Sequence, residues 1–188
     1  TAPSSLNGRG GGMYLVGFEP AVGAPIEFER TSFTENRNHF GPGLYVSGIG
    51  FIATRPIRLD NVTVGGNTRD TTTNSAALQF GGGAGSLAVA LQHVSVLYNL
   101  GGPGYNGVAN DGNSVTARNS AIGGLCPIDL LMGIGSGSDN LESNPNWCFP
   151  TGQATVTTLT VEAQFLPTLV AGPAASPARA YVPELELD

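Results

Sequence analysis

The sequence predicts an all-β chain wound as a parallel β-helix, a solenoid of about four turns. Three observations predict it. Residues 57–67 (IRLDNVTVGGN) place apolar side chains in alternation at Ile57, Leu59, Val62 and Val64, with one slip at Asp60-Asn61. Alternation marks a half-buried strand, and the slip marks a corner. The stretch also recurs: residues 26–36 match it 31 residues earlier, residues 89–99 match it 32 residues later, and a shorter copy occupies 115–122. A fixed period near 30 is the mark of a repeat architecture. Finally, 28 Gly and 13 Pro break short Val/Ile/Phe/Thr runs, leaving no stretch long enough for a helical repeat.

Taken in order, residues 1–9 form a polar N-terminal extension, 10–125 the coils, and 126–188 a C-terminal cap with a last strand and a Pro/Ala-rich tail. Within the coils a second short apolar run opens at Gly12, Gly43, Ala77 and Gly107, spaced by 31, 34 and 30 residues. Segments 17–25, 67–75 and 101–106 are expected to project as loops from one corner, the usual place for binding on a solenoid. Residues 126–150 form an excursion expected to cover the C-terminal end of the stack. Residues 153–162 read as one more strand, and the segment after Phe165 as an extended tail lying on the body.

Stacked turns place equivalent side chains above one another at about 4.8 Å. Arg30, Asn61, His93 and Asn119 are expected to share one corner column, and Asn36, Asn67 and Asn99 another. Asn at a repeated corner can pass amide hydrogen bonds up the stack and satisfy backbone groups that the turn leaves open. Phe28, Leu59, Leu91 and Ala117 form one inward column; Phe33, Val64, Val96 and Ile122 form a second. These columns are the expected core.

The motif order also resembles known repeats. Gly10-Gly-Gly-Met-Tyr followed by Phe33-Thr-Glu-Asn36 resembles the Gly-Gly-aliphatic and Phe-x-x-Asn repeats of bacterial polymorphic outer-membrane proteins. Arg118-Asn-Ser-Ala-Ile, Cys126, Gly137-Ser-Asp-Asn-Leu-Glu-Ser143 and Cys148-Phe149 are similar to the end of the choice-of-anchor Q proteins, right-handed β-helices of bacteria. The resemblance covers residues 10–170. It implies a right-handed coil and a secreted or cell-surface location, with an anchoring segment beyond the helix. The sequence departs from that pattern at both ends, opening on Thr1 and closing at Asp188 without an anchor. A processed chain and a fragment both fit.

Composition excludes several function classes. All eight basic residues are Arg, so Schiff-base chemistry on Lys is ruled out. A formal charge of -6 argues against nucleic acid, whose phosphates demand basic patches. No run approaches the 18 or so apolar residues of a transmembrane helix. The only two cysteines, Cys126 and Cys148, read as a disulfide in a secreted chain and otherwise as two separately buried thiols.

Candidate chemistry is sparse. His93 falls in the corner column with no carboxylate or nucleophile placed beside it, and His39 lies in a polar loop where it should be solvated. Arg55-Pro-Ile-Arg58 resembles the Arg and Pro near the active site of pectate-lyase-like β-helices. The aspartates at 60, 70, 111, 129 and 139 do not align at the turn period, so neither a lyase calcium cluster nor a hydrolase carboxylate set emerges. Asp139-Asn-Leu-Glu142 and Asn110-Asp-Gly-Asn113 could donate oxygens to calcium, although the second is first of all a turn sequence. No catalytic, cofactor or metal residue is assigned.

The expected function is a non-catalytic secreted or bacterial cell-surface module for adhesion, matrix structure or display, with surface glycans as one partner class. A β-helix must cover the unpaired backbone groups at its ends. Only a short polar segment precedes the first turn, so another protein chain, a copy or the rest of a precursor, is expected there. The alternative is a carbohydrate-active enzyme, a polysaccharide lyase or glycoside hydrolase, whose acids converge only in three dimensions.

Overall fold

The computed structural model describes residues 9–16, 24–48, 55–69, 76–81, 87–100, 107–124, 126, 136–142, 148–149 and 154–156. Among them there is no helix. The chain runs through β1 (Met13–Val16), β2 (Ile26–Glu29), β3 (Ser32–Thr34), β4 (Arg37–Asn38) and β5 (Leu44–Ser47). It continues through β6 (Arg55–Asp60), β7 (Thr63–Gly65), β8 (Thr68–Arg69) and β9 (Leu78–Gly81). Then follow β10 (Leu87–Gln92), β11 (Ser95–Leu97), β12 (Val108–Asn110), β13 (Ser114–Arg118) and β14 (Ala121–Ile122). The last described strands are β15 (Ser136–Ser138), β16 (Asn140–Glu142) and β17 (Ala154–Val156).

Each sheet takes one strand from each round, and every pairing is parallel. The orders are β1-β5-β9-β12, β2-β6-β10-β13-β15 and β3-β7-β11-β14-β16-β17, with a small β4-β8 pair beside them. Stacked partners are 31 and 32 residues apart in the first rounds, then 26, then 20. The rounds therefore shorten toward the C-terminus instead of keeping a period near 30. Parallel pairing also continues beyond residue 125: β15 adds to β13, and β16 to β14. Part of the segment expected to form an excursion is thus a further, shorter round. Of the strand expected over 153–162, β17 is described, and it pairs with β16. The projecting loops, the tail and most of the N-terminal extension lie outside the described residues.

The interior follows from strand alternation. In β6, Ile57 and Leu59 are fully buried while Arg58 and Asp60 face out; β13 alternates in the same way. Phe28 lies beside Leu59, Leu59 beside Leu91, and Leu91 beside Ala117. Phe33, Val64, Val96 and Ile122 are likewise neighbours in register. Phe28 and Phe33 meet edge to face at 5.8 Å, joining the two columns at one end. The second column continues through Glu142, which is in register with Ile122 on one side and Val156 on the other and is only 3% exposed. Its carboxylate accepts hydrogen bonds from the backbone N–H groups of Cys148 and Phe149 at 3.1 and 3.3 Å. Cys148 is joined to Cys126. A buried acid and a disulfide therefore tie this segment to the stack. By contrast β5, β9 and β12 are buried on both faces, polar Ser47 and Gln79 included.

Candidate ligand groove and the corner columns

The outer face of β2, β6 and β10 carries an open groove of about 540 Å³, lined by Glu27, Glu29, Arg58, Asp60, Ala90 and Gln92 with parts of Phe28 and Leu59. Register builds it. Glu27 stands beside Arg58 and Arg58 beside Ala90; Glu29 stands beside Asp60 and Asp60 beside Gln92. The short Ala90 side chain, following Glu27 and Arg58 in its column, leaves the depression. Most of the residues around it are charged or carry an amide.

The carboxylates of this face are held by cations. Arg58 Nη1 lies 3.1 Å from Glu27 Oε1 across the strand boundary, and Arg30 Nε lies 3.8 Å from Glu29 Oε1. Further along, Arg118 Nε lies 3.9 Å from Asp139 Oδ2. These side chains are largely exposed, so each pair contributes well under about 1 kcal/mol. The groove is a patterned polar surface more than a desolvated pocket.

The corner column beside it has a backbone cause. Arg30, Asn61, His93 and Asn119 all adopt left-handed φ, of 50°, 57°, 51° and 49°, and Asp139 continues the series at 55°. That conformation turns the strand while letting each N–H reach the next round: Arg30 N donates to Asp60 O, Asn61 N to Gln92 O and His93 N to Arg118 O. His93 is bridged to both neighbouring rounds. Its Nδ1 lies 3.4 Å from Asp60 Oδ1, and Nε2 lies 3.2 Å from the Asn119 amide nitrogen. If Asn119 donates to Nε2, the ring proton is on Nδ1 and points at Asp60. The Nε2 lone pair is then occupied, which leaves no free base. The carboxylate partner that sequence alone could not place is Asp60, one round away.

The second corner is an amide ladder. Asn36 donates its side-chain N–H and its backbone N–H to Asn67 Oδ1, both at 3.0 Å. Asn67 repeats this toward Asn99 Oδ1 at 2.9 and 3.0 Å, and also donates to Phe33 O at 2.8 Å. Asn99 donates to Val64 O. The same device serves the other corner with different residues: Ser120 Oγ accepts from Val94 N, and Asn140 Oδ1 accepts from Ser120 N.

His39 departs from expectation. It is 5% exposed instead of solvated, and neither ring nitrogen has a hydrogen-bond partner. The polarity of its loop misled, because β4 pairs with β8 and draws this segment onto the stack. The two calcium candidates are likewise committed elsewhere. Asn113 Oδ1 accepts from Leu87 N, Asn110 Oδ1 accepts from Asn113 N, and Glu142 serves the disulfide segment. Arg55 and Pro56 open β6, where Arg58 pairs with Glu27. Among the described residues, no three His, Cys, Asp or Glu side chains converge as a metal site.

Sequence reasoning missed the groove itself. Its signal was present, since aligning 26–29 with 57–60 puts Glu27 over Arg58 and Glu29 over Asp60. No known family, curated protein or solved structure matches this chain. Among the described residues no helix is long and apolar enough to cross a membrane.

Proposed function

We propose that this chain is a right-handed parallel β-helix module, secreted or displayed at a bacterial cell surface, that serves adhesion, matrix structure or display without catalysis. The observation that carries this reading is how the outward charges are used. Glu27 with Arg58, Asp60 with His93 and Arg118 with Asp139 all join side chains of adjacent rounds. A face whose acids and bases pair with those of its own adjacent rounds presents an ordered pattern of surface charge, though each pair adds little to stability. The one-strand-per-round sheets support the coil, and parallel strands joined by crossovers are almost always right-handed. The motif resemblance supports the bacterial surface setting, and the disulfide fits an oxidising compartment. The groove over β2, β6 and β10 is the face offered to surface glycans, through alternating carboxylate, guanidinium and amide groups.

One observation favours the enzyme reading as a second choice. Glu29 and Asp60 are register partners on adjacent strands and line the same groove. Strand spacing of about 4.8 Å is close to the roughly 5 Å carboxyl separation of a retaining glycosidase. A glycan array together with a product assay on plant and bacterial polysaccharides separates the two. Retention of glycans without release of reducing or unsaturated ends, weakened by Arg58→Ala, is the expected result. Turnover that Asp60→Asn abolishes would replace the module with the enzyme.

A further inference from the structure

We infer that the end of the stack formed by β1, β2 and β3 docks a second copy of this chain, the two meeting face to face about a two-fold axis. The inference rests on the stacked-coil reading proposed above and commits the expected end-on partner to one identity. At this end all three large sheets stop together: β1 pairs only with β5, β2 only with β6 and β3 only with β7 among the described strands. Edges of this kind template further strand pairing unless something blunts them.

The core also surfaces here. Met13, Tyr14 and Val16 are 40%, 40% and 43% exposed, and Leu15, Ile26 and Phe28 are only half-buried. Their partners one round on, Leu44, Val46, Ile57 and Leu59, are fully buried. The end is therefore a core cut across, as in the interfaces of stable homodimers.

Charge selects the partner. Among the described residues the rim holds exposed Glu27, Glu29 and Glu35 against exposed Arg9, Arg30 and Arg37, which balance in a chain of formal charge -6. A balanced rim can meet its own copy with acid against base, whereas a partner of either single sign gains nothing net. The two-fold axis follows from the opposite end, where among the described strands the three sheets run to four, five and six members and so present a stagger. A flush end does not fit a staggered one, so head-to-tail growth is disfavoured and a closed pair is favoured. The axis also turns facing edge strands antiparallel, the more stable arrangement.

Sedimentation and native mass measurement of the 188-residue chain over a wide concentration range provide the test, with twice the 19.2 kDa chain mass as the expected result. Met13→Glu combined with Val16→Glu should return a monomer that keeps its cooperative thermal transition. Arg30→Glu should weaken the pair, and Glu29→Arg with Arg30→Glu should restore it. Amides of β2 and β3 should exchange more slowly as concentration rises.

A monomer at every concentration, a dimer indifferent to the Met13/Val16 change, or an open series of oligomers overturns the inference. So does a β2 edge that becomes protected only when further chain is fused ahead of Thr1. The stacking itself is checked apart from this. Glu27→Cys with Arg58→Cys should be bridged within one chain by a short bifunctional thiol reagent. Bridging in a monomer sinks the docking face alone; failure to bridge sinks the coil with it.

Discussion

Asn67 has no exposed surface, and its side chain serves four polar groups in the two rounds that flank its own: the backbone and side-chain N–H of Asn36, the Phe33 carbonyl and the Asn99 amide oxygen. Truncation leaves several of these buried and unpaired. Asn67→Ala is expected to lower unfolding free energy by about 2–4 kcal/mol. Asn36→Ala, at the end of the ladder and half-buried, should cost roughly 1 kcal/mol; denaturant titration of both reads the difference. Tyr45 gives a pH signature. It is 5% exposed, and burial pushes its phenol above the ordinary tyrosine value, against the opposing pull of Arg9, whose guanidinium sits 5.5 Å from its ring. Above about pH 10 the unfolded chain releases this proton while the folded chain retains it. Tyr45 thus contributes stability that is intact below that pH and is lost as pH rises through the folded-state value. Thermal melts from neutral to strongly alkaline pH should show a loss that is shallower in Tyr45→Phe.

At the scale of the element, the corners decide strand length. Two columns of left-handed residues bend the chain, one from Arg30 to Asp139 and the other at Glu35, Gly66 and Tyr98. Glycine stands at only one of these positions, Gly66, although φ there is 64°. Side-chain residues in this conformation cost about 1 kcal/mol each relative to glycine. Glu35 is exposed at φ 57°, with Glu35 N donating to Gly65 O. Glu35→Gly keeps that bond and relieves the strain, so it is expected to raise stability by about 0.5–1 kcal/mol, measurable as a higher denaturation midpoint. The opposite holds at Gly43, where a Cβ would come within 2.6 Å of Val64 Cγ1. The recurring glycine that opens the second run reflects close packing over the next corner. The alternation at Ile57, Leu59, Val62 and Val64 made the strands legible. The torsions that separate them were visible only as one slipped residue.

For the whole molecule, the described C-terminal rounds shrink, and the disulfide and Glu142 add ties there to the strand pairing that continues through β15, β16 and β17. Cys126 and Cys148 close a loop of sequence separation 22. Their reduction should cost roughly 3 kcal/mol by chain entropy. Because the tie lies at the narrow end, exchange protection of β15 and β16 should fall before that of β6 and β10. Hydrogen exchange with and without reductant would check the order.

The sequence by itself determined the recurrence, because strand alternation and repeated corners are local and leave a period that can be counted. It thereby located which side chains stack: the Asn ladder, the corner residues and the two inward columns are all separated by one repeat. Only the tertiary structure decided what those neighbours do. That Asp60 reaches His93, that Glu142 serves as a buried backbone acceptor, and that His39 is buried are contacts between rounds, and the last rounds also shorten. A shortening period cannot be extrapolated from its first members. The groove belongs to this second class as well, since it arises where the small Ala90 follows the charged Glu27 and Arg58, a relation between strands that no single strand contains.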